Sequence, residues 1–319
     1  MLLRNFFKIT MLSVALCAFV SCSQEDDGMD QGEGNMSSTK VYLTDSPVDN
    51  PEISGVFVTI AEVQVNGKAL EGFSKSTIEI SSLTEGKTKL LGNVDLETGS
   101  SANVVLVLEE NSDASGNSPA NYVLTTGGEK KALLSSVSRI EVSDNAEILA
   151  TEQNELIIDF DLRKSVAENS EGNYSFVSAG QLSNSIRVAN RAKTGTVKGN
   201  ISNYSAAGAE AVVVYAYRAG SYSQSEAEAG GSATATAFSN AVTSTAVAEA
   251  GGDFSLHFLE EGEYELVFVA YEDEDNDGQL EFQGQLDMDL TGELNLNHVR
   301  VESNTTVNLA LAVEGILNL

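Results

Sequence analysis

Between Leu156 and Arg163 the chain alternates strictly. Leu156, Ile158, Phe160 and Leu162 interleave with Ile157, Asp159, Asp161 and Arg163. A period of two sends the two sets to opposite faces of an extended strand. Val104, Leu106 and Leu108 repeat the pattern, as do Ile140 and Val142. No segment keeps a helical period over three turns. Around Val56 the alternation slips: Val56, Val58 and Ile60 share one face, but the next apolar pair is Val63 and Val65. One extra residue near Ala61-Glu62 returns both sets to the core, which is what a β-bulge does. The chain is therefore read as all-β.

A second run of the same kind begins at Gly195. It contains GAEAVVVYAY (Gly208 to Tyr217), Gly252-Asp253-Phe254-Ser255-Leu256 and Gly262-Glu263-Tyr264-Glu265-Leu266. Strand, glycine turn, strand is a hairpin series, with Phe254, Leu256 and Phe258, then Tyr264, Leu266 and Phe268, expected on one apolar face. The segment from Thr306 alternates Val307, Leu309, Leu311 and Val313, either as a last sandwich strand or as a donated one. Between these strands Ala219 to Ala250 is rich in Ala, Ser, Thr and Gly. Its first half is expected to be a mobile loop and its second half a strand. As an insert it is either a hidden binding surface, since loops carry function, or a spacer.

The N-terminus has a different character. Arg4 and Lys8 precede the apolar run Ile9 to Val20, about 12 residues or roughly 18 Å of helix, too short to span a bilayer. A signal peptide over residues 1–21 is expected. A small residue before a cysteine, Ser21-Cys22, resembles the lipobox of bacterial lipoproteins, which implies acylation of Cys22. Residues 22–38 include SQEDDGMDQGEG (Ser23 to Gly34), acidic and nearly free of apolar side chains. Such a segment cannot offset its ordering entropy and is expected to be a disordered tether. Glu25-Asp26-Asp27 resembles the export signal of Bacteroidetes surface lipoproteins. The implied location is the outer membrane, lipid-anchored and surface-exposed.

Charge and composition narrow the partners. The formal net charge is −29, and loss of Arg4 and Lys8 with the signal takes it to −31. That disfavours nucleic acid. Both cysteines, Cys17 and Cys22, lie in the signal region, so the mature chain has no disulfide, thiolate metal site or cysteine nucleophile. Two histidines make a histidine zinc site improbable. The absence of tryptophan argues mildly against a carbohydrate platform, although nine tyrosines can substitute.

Residues 39–192 and 194–319 are expected to fold as separate β-sandwich domains. In the first, the strings VYLTDSP (Val41 to Pro47), the strand Val56 to Val65, LIIDFDLRKS (Leu156 to Ser165) and Ile186-Arg187-Val188 together resemble a family of bacterial lipoprotein domains catalogued as domain of unknown function 4382. The resemblance implies a sandwich and an envelope location, and brings no activity. In the second, the GxFxL…GxYxL string resembles the transthyretin-like, carboxypeptidase-regulatory-like modules appended to many surface proteins. The expected architecture is two sandwiches, Ig-like or transthyretin-like, behind a lipoprotein signal and an acidic tether.

Two carboxylate groupings are candidate sites. Asp45, Asp49, Asp159 and Asp161 can be drawn together, but a polar strand face carries acids for solubility, and Asp45 before Ser-Pro is ordinary turn chemistry. That plainer reading is preferred. The better motif is Asp273-Glu274-Asp275-Asn276-Asp277-Gly278-Gln279-Leu280-Glu281. Oxygen ligands at positions 1, 3 and 5, glycine at 6 and a backbone carbonyl at 7 form the calcium-loop spacing. Ca²⁺ is expected on Asp273, Asp275, Asp277, Gln279 and Glu281, in an ordering role. Position 12 is Gly284 rather than the usual glutamate, and Asp287 or Asp289 are further candidates for the shell. The alternative is an acidic hairpin turn. No nucleophile elbow, phosphate loop or HExxH occurs. The chain is read as a non-catalytic binding or scaffold lipoprotein, attached to the membrane through Cys22, with an envelope protein or glycan as partner. The rival reading is a fimbrial or adhesin subunit.

Overall fold

The structure is a computed structural model and describes residues 35–46, 53–151, 153–228, 237–274, 280–290, 292 and 295–317. It is all-β, built as two lobes whose hydrophobic clusters share no residue. Residues Gly34–Leu319 nevertheless form one compact unit.

The first lobe carries β1 (Met36–Thr44), β2 (Ile53–Val65), β3 (Lys68–Ala69), β4 (Ser76–Glu79), β5 (Lys89–Glu97), β6 (Ser101–Leu108), β7 (Tyr122–Thr125), β8 (Lys130–Leu134), β9 (Arg139–Glu147), β10 (Gln153–Phe160), β11 (Val166–Glu168), β12 (Tyr174–Phe176) and β13 (Ile186–Asn190). Two short helices, α1 (Leu162–Ser165) and α2 (Ala179–Ser185), lie between β10 and β13. One sheet runs β13-β10-β1-β5, and the other runs β11-β12-β8-β7-β2-β6-β9, with β3 and β4 hung on β2. Inward residues of both sheets, Val41, Leu43, Val58, Leu106, Ile158 and Phe160 among them, make one core. The slip in β2 is a bulge: the register with β6 shifts between Ile60 and Glu62, and Val56, Val58, Ile60, Val63 and Val65 are all fully buried.

The second lobe carries β14 (Thr194–Ile201), β15 (Ala211–Arg218), β16 (Thr243–Ala246), β17 (Asp253–Glu260), β18 (Gly262–Glu272), β19 (Glu281–Leu290), β20 (Val299–Val301) and β21 (Thr306–Leu317), with α3 (Ser225–Glu228) in the insert. Its sheet runs β16-β15-β18-β19-β21-β14-β17, and β20 pairs with β18. The two edges curl toward each other, where Ala248 N–H donates to Asp253 O at 2.8 Å. Segment 306–317 is central in this sheet, parallel to β14 and antiparallel to β19.

Three sequence expectations change here. The disordered tether expected over residues 22–38 gives way to strand at Met36, where β1 begins, and Ser37 is buried. Phe258 does not join the apolar face with Phe254 and Leu256. It takes φ 54°, the β14–β17 register shifts between Gly195 and Val197, and Leu259 becomes the buried residue in its place. The insert is also not a loose loop where it is described. Ala227, Phe238 and Ala241 pack with Val213, Tyr215, Tyr217, Val267 and Val269 on the outer face of β15 and β18. Those strands are covered on both sides, so their residues run apolar without alternation. Glu226, 8% exposed, is held by Tyr217 Oη at 3.2 Å and by Asn240 N and Nδ2 at 3.0 and 2.8 Å.

Candidate functional site: the ionic seam between the lobes

Strand register assembles the site. β1 and β10 are parallel neighbours paired Leu43 to Ile158 and Thr44 to Asp159, so both strands end at one level. Asp45 therefore lies beside the start of α1, and its Oδ1 accepts from Leu162 N–H at 3.1 Å. On the other side of β10, Asp159 stands directly opposite Arg187 of β13. Their side chains pair at 2.8 Å. Asp161 caps α1, accepting from Lys164 N–H, and pairs with Arg163 at 3.1 Å and with Lys164 at 3.2 Å.

All of this is closed from solvent. Asp45, Asp159, Asp161 and Arg163 are 6, 5, 3 and 7% exposed. The inward face of β10 faces its own core, while the outward face, read from sequence as a solvated acidic face, lies under the second lobe. The solubility reading of Asp159 and Asp161 is thereby corrected. Asp45 keeps a local backbone contact with Ser46, as turn chemistry expects, and adds a partner 117 positions away. Asp49 lies outside the described residues.

The second lobe answers mainly with backbone carbonyls. Arg163 donates to Ala237 O at 3.1 Å and Phe238 O at 2.9 Å, with its guanidinium 5.2 Å from the Tyr215 ring centre. Lys164 donates to Ala241 O at 2.7 Å. Arg187 donates to Phe258 O at 2.5 Å, the carbonyl that the slip in β17 presents. Ser46 and Thr243 hydroxyls are 2.8 Å apart. Arg191 lies over both Tyr42 and Phe258, and pairs with Glu155 at 3.0 Å. Gly86, at φ 75°, packs on His257; a Cβ there would sit 2.7 Å from the imidazole.

Burial sets the electrostatics. It pushes the Asp45 carboxyl well above the ordinary carboxylate range; the Leu162 N–H works against this, and nearby Asp159 and Asp161 add to it. Burial also holds the Lys164 ammonium below its ordinary value, opposed by Asp161. His257 is lowered by burial and by Lys198. Charged pairs in such a place need complete partnering to be stable; Asp161 is paired twice, while Asp45 Oδ2, Asp159 Oδ1 and Arg187 Nε are buried without a hydrogen-bond partner.

The calcium-loop candidates fall elsewhere. Asp275, Asp277 and Gln279 lie outside the described residues. Asp273 and Glu281 flank them on the β18–β19 hairpin, and Glu274 N–H donates to Glu281 Oε2 at 3.0 Å. The flanks are strands, not helices. Asp287 is six residues along β19 from Glu281, about 20 Å at a strand's rise, and Asp289 is further, so neither completes a shell with Glu281. Among the described residues, no group of three or more His, Cys, Asp or Glu side chains is placed to hold a metal. Cys22 also lies outside the described residues. Among those described, no helix is long and apolar enough to cross a membrane.

Residues 36–178 match the family model described as "Domain of unknown function (DUF4382)". No curated protein matches the chain. Among solved structures, the chain is similar to the Bacillus anthracis TIE protein at 10% identity, covering 87% of this chain and 34% of that one, with a TM-score of 0.20. It is similar to the major pilin subunit of Bacillus cereus at 9% identity, covering 88% and 70%, TM-score 0.20. It is similar to the fimbrial anchor protein Mfa2 from Porphyromonas gingivalis at 14% identity, covering 86% and 95%, TM-score 0.18. The match spans about a third of the first of these chains. Scores of this size carry no functional argument.

Proposed function

We propose that this chain is a non-catalytic lipoprotein of the outer membrane, anchored through Cys22, whose two lobes form one rigid binding or scaffold body. The observation that supports it best is the seam. Acid–base chemistry needs a titratable group within reach of substrate. Here Asp159, Asp161, Arg163, Lys164 and Arg187 are largely buried and pair with each other and with the facing lobe. Such a seam costs desolvation and returns a fixed geometry, which suits a part that presents a surface at a set angle. The likeness of the second lobe to transthyretin-like modules rests on its GxFxL…GxYxL string and agrees with this reading. The place of β21 between β14 and β19 favours a self-contained module over a subunit that donates its last strand.

Labelling cells with an alkyne fatty acid is expected to tag the wild type and not Cys22→Ala. Protease added to intact cells is expected to remove the tagged protein, as a surface location requires. Detergent extracts are expected to hold a monodisperse species. Label surviving Cys22→Ala overturns the anchor, and SDS-resistant ladders from the cell surface establish the fimbrial reading instead.

A further inference from the structure

The acids of the seam are not equally served. Asp159 has Arg187, and Asp161 has Arg163 and Lys164. Asp45 forms no ion pair among the described residues. Its Oδ2 is fully enclosed with no hydrogen-bond partner, and so are Asp159 Oδ1 and Ser244 Oγ. All three residues line one cavity of about 20 Å³ between the lobes, together with Thr44, Thr245 and His257. An enclosed polar atom without a partner costs about 1–3 kcal/mol, and more if it is charged. Three such oxygens, on residues from both lobes that line one small void, call for a shared partner.

We propose that this cavity binds one hard, oxygen-liganded metal cation of the Ca²⁺ class through Asp45 Oδ2, Asp159 Oδ1 and Ser244 Oγ. The free donors are carboxylate and hydroxyl oxygens, the ligands such ions prefer. A water molecule can donate to both carboxylates, but it supplies no charge that would let two neighbouring buried acids ionise together. A cation supplies that charge. The void admits about one water-sized sphere, which disfavours Mg²⁺, an ion that keeps several waters and sheds them reluctantly. Two carboxylates and a hydroxyl are a sparse set, so the affinity belongs at the weak extracellular end, on the order of 10⁻⁴–10⁻³ M. Asp45 and Asp159 come from the first lobe and Ser244 from β16 of the second, so the ion ties the two together.

The test is equilibrium dialysis with Ca²⁺ and thermal melting of the full-length chain, with millimolar Ca²⁺, Mg²⁺ or chelator. Asp275→Asn removes one expected ligand of the hairpin loop, so that a Ca²⁺ response kept in this background and lost with Asp45→Asn reports on the seam. Ca²⁺ is expected to raise the melting temperature of Asp275→Asn, with Mg²⁺ giving less. In the double variant with Asp45→Asn the increment and one bound ion disappear. Asn keeps an oxygen for Leu162 N–H, so folding is expected to survive. Ser244→Ala, in the same background, is expected to need about tenfold more Ca²⁺ for half the shift, and it carries the test alone if Asp45→Asn does not fold. No Ca²⁺ increment in Asp275→Asn, or an undiminished one in Asp45→Asn or Ser244→Ala, overturns the proposal.

Discussion

At the scale of single residues, Asp45 has the most to report. Its folded carboxyl titrates above the unfolded value of about 3.9. Between those two values the folded state holds a proton that the unfolded state has lost, so this group's contribution to stability falls as pH rises through that window. Asp159 and Asp161 are the charges that act on it, and Glu85 and His257 line the same cavity. In chelator, Asp45→Asn is therefore expected to melt above wild type at pH 8, with the gap closing as pH falls toward 4; a constant gap across that range counts against the assignment. Arg187→Ala leaves Asp159 buried without its partner and breaks the bond to Phe258 O. The expected cost in denaturant unfolding is about 3–5 kcal/mol. A loss under 1 kcal/mol would mean that the pair is open to water. The sequence carried this site only in part. The LTDSP and LIIDFDLRKS strings held Asp45, Asp159, Asp161, Arg163 and Lys164, but an acid opposite a core residue in a strand looks the same whether water or another lobe covers it. Arg187 gave no sign either, because its register with Asp159 is fixed only when β10 and β13 pair.

At the scale of elements, the bulge in β2 was readable because the apolar set changes parity at Ala61. Deleting Ala61 removes the extra residue and turns Val63 and Val65 outward, or Val56 to Ile60 if the register slips the other way. Losing two buried valines costs roughly 3–6 kcal/mol, so the deletion is expected to unfold the lobe, whereas Ala61→Ser at the same half-buried position is expected to be mild in a thermal melt. The slip in β17 was not readable, since Phe258 continues a perfect alternation and only its pairing with β14 turns it out. Gly252 explains part of that strand's entry: at φ 71° a Cβ would lie 2.2 Å from Ile201 O, a backbone atom with little room to give. The second half of the insert forms a strand as expected, Thr243–Ala246, while the first half departs from the loop expectation for a compositional reason. Small residues suit a mobile loop, but Tyr222, Ala227 and Phe238 are enough to anchor it on a sheet whose outer face is itself apolar.

For the whole molecule, the lobes share no hydrophobic cluster, yet charged side chains of the first bind backbone carbonyls of the second. Separate halves, cut between Ala192 and Thr194, are expected to keep β-type circular dichroism and to melt well below the full chain, which is expected to unfold in one transition. Two resolved transitions in the full chain, unchanged in the halves, would show the seam to be energetically idle. A second property follows from how each lobe opens. β1 pairs in parallel with β10, and β14 with β21. Asp45 meets Leu162 across 117 positions, and Asn203 meets Val313 across 110. The first strand of each lobe is thus committed to a partner that is synthesised long after it, and contacts so distant in sequence form slowly. A ribosome, or a pore threading the chain across a membrane, delivers most of a lobe before either sheet can close. The chain stays pliable while in transit and locks only on arrival of its late strand.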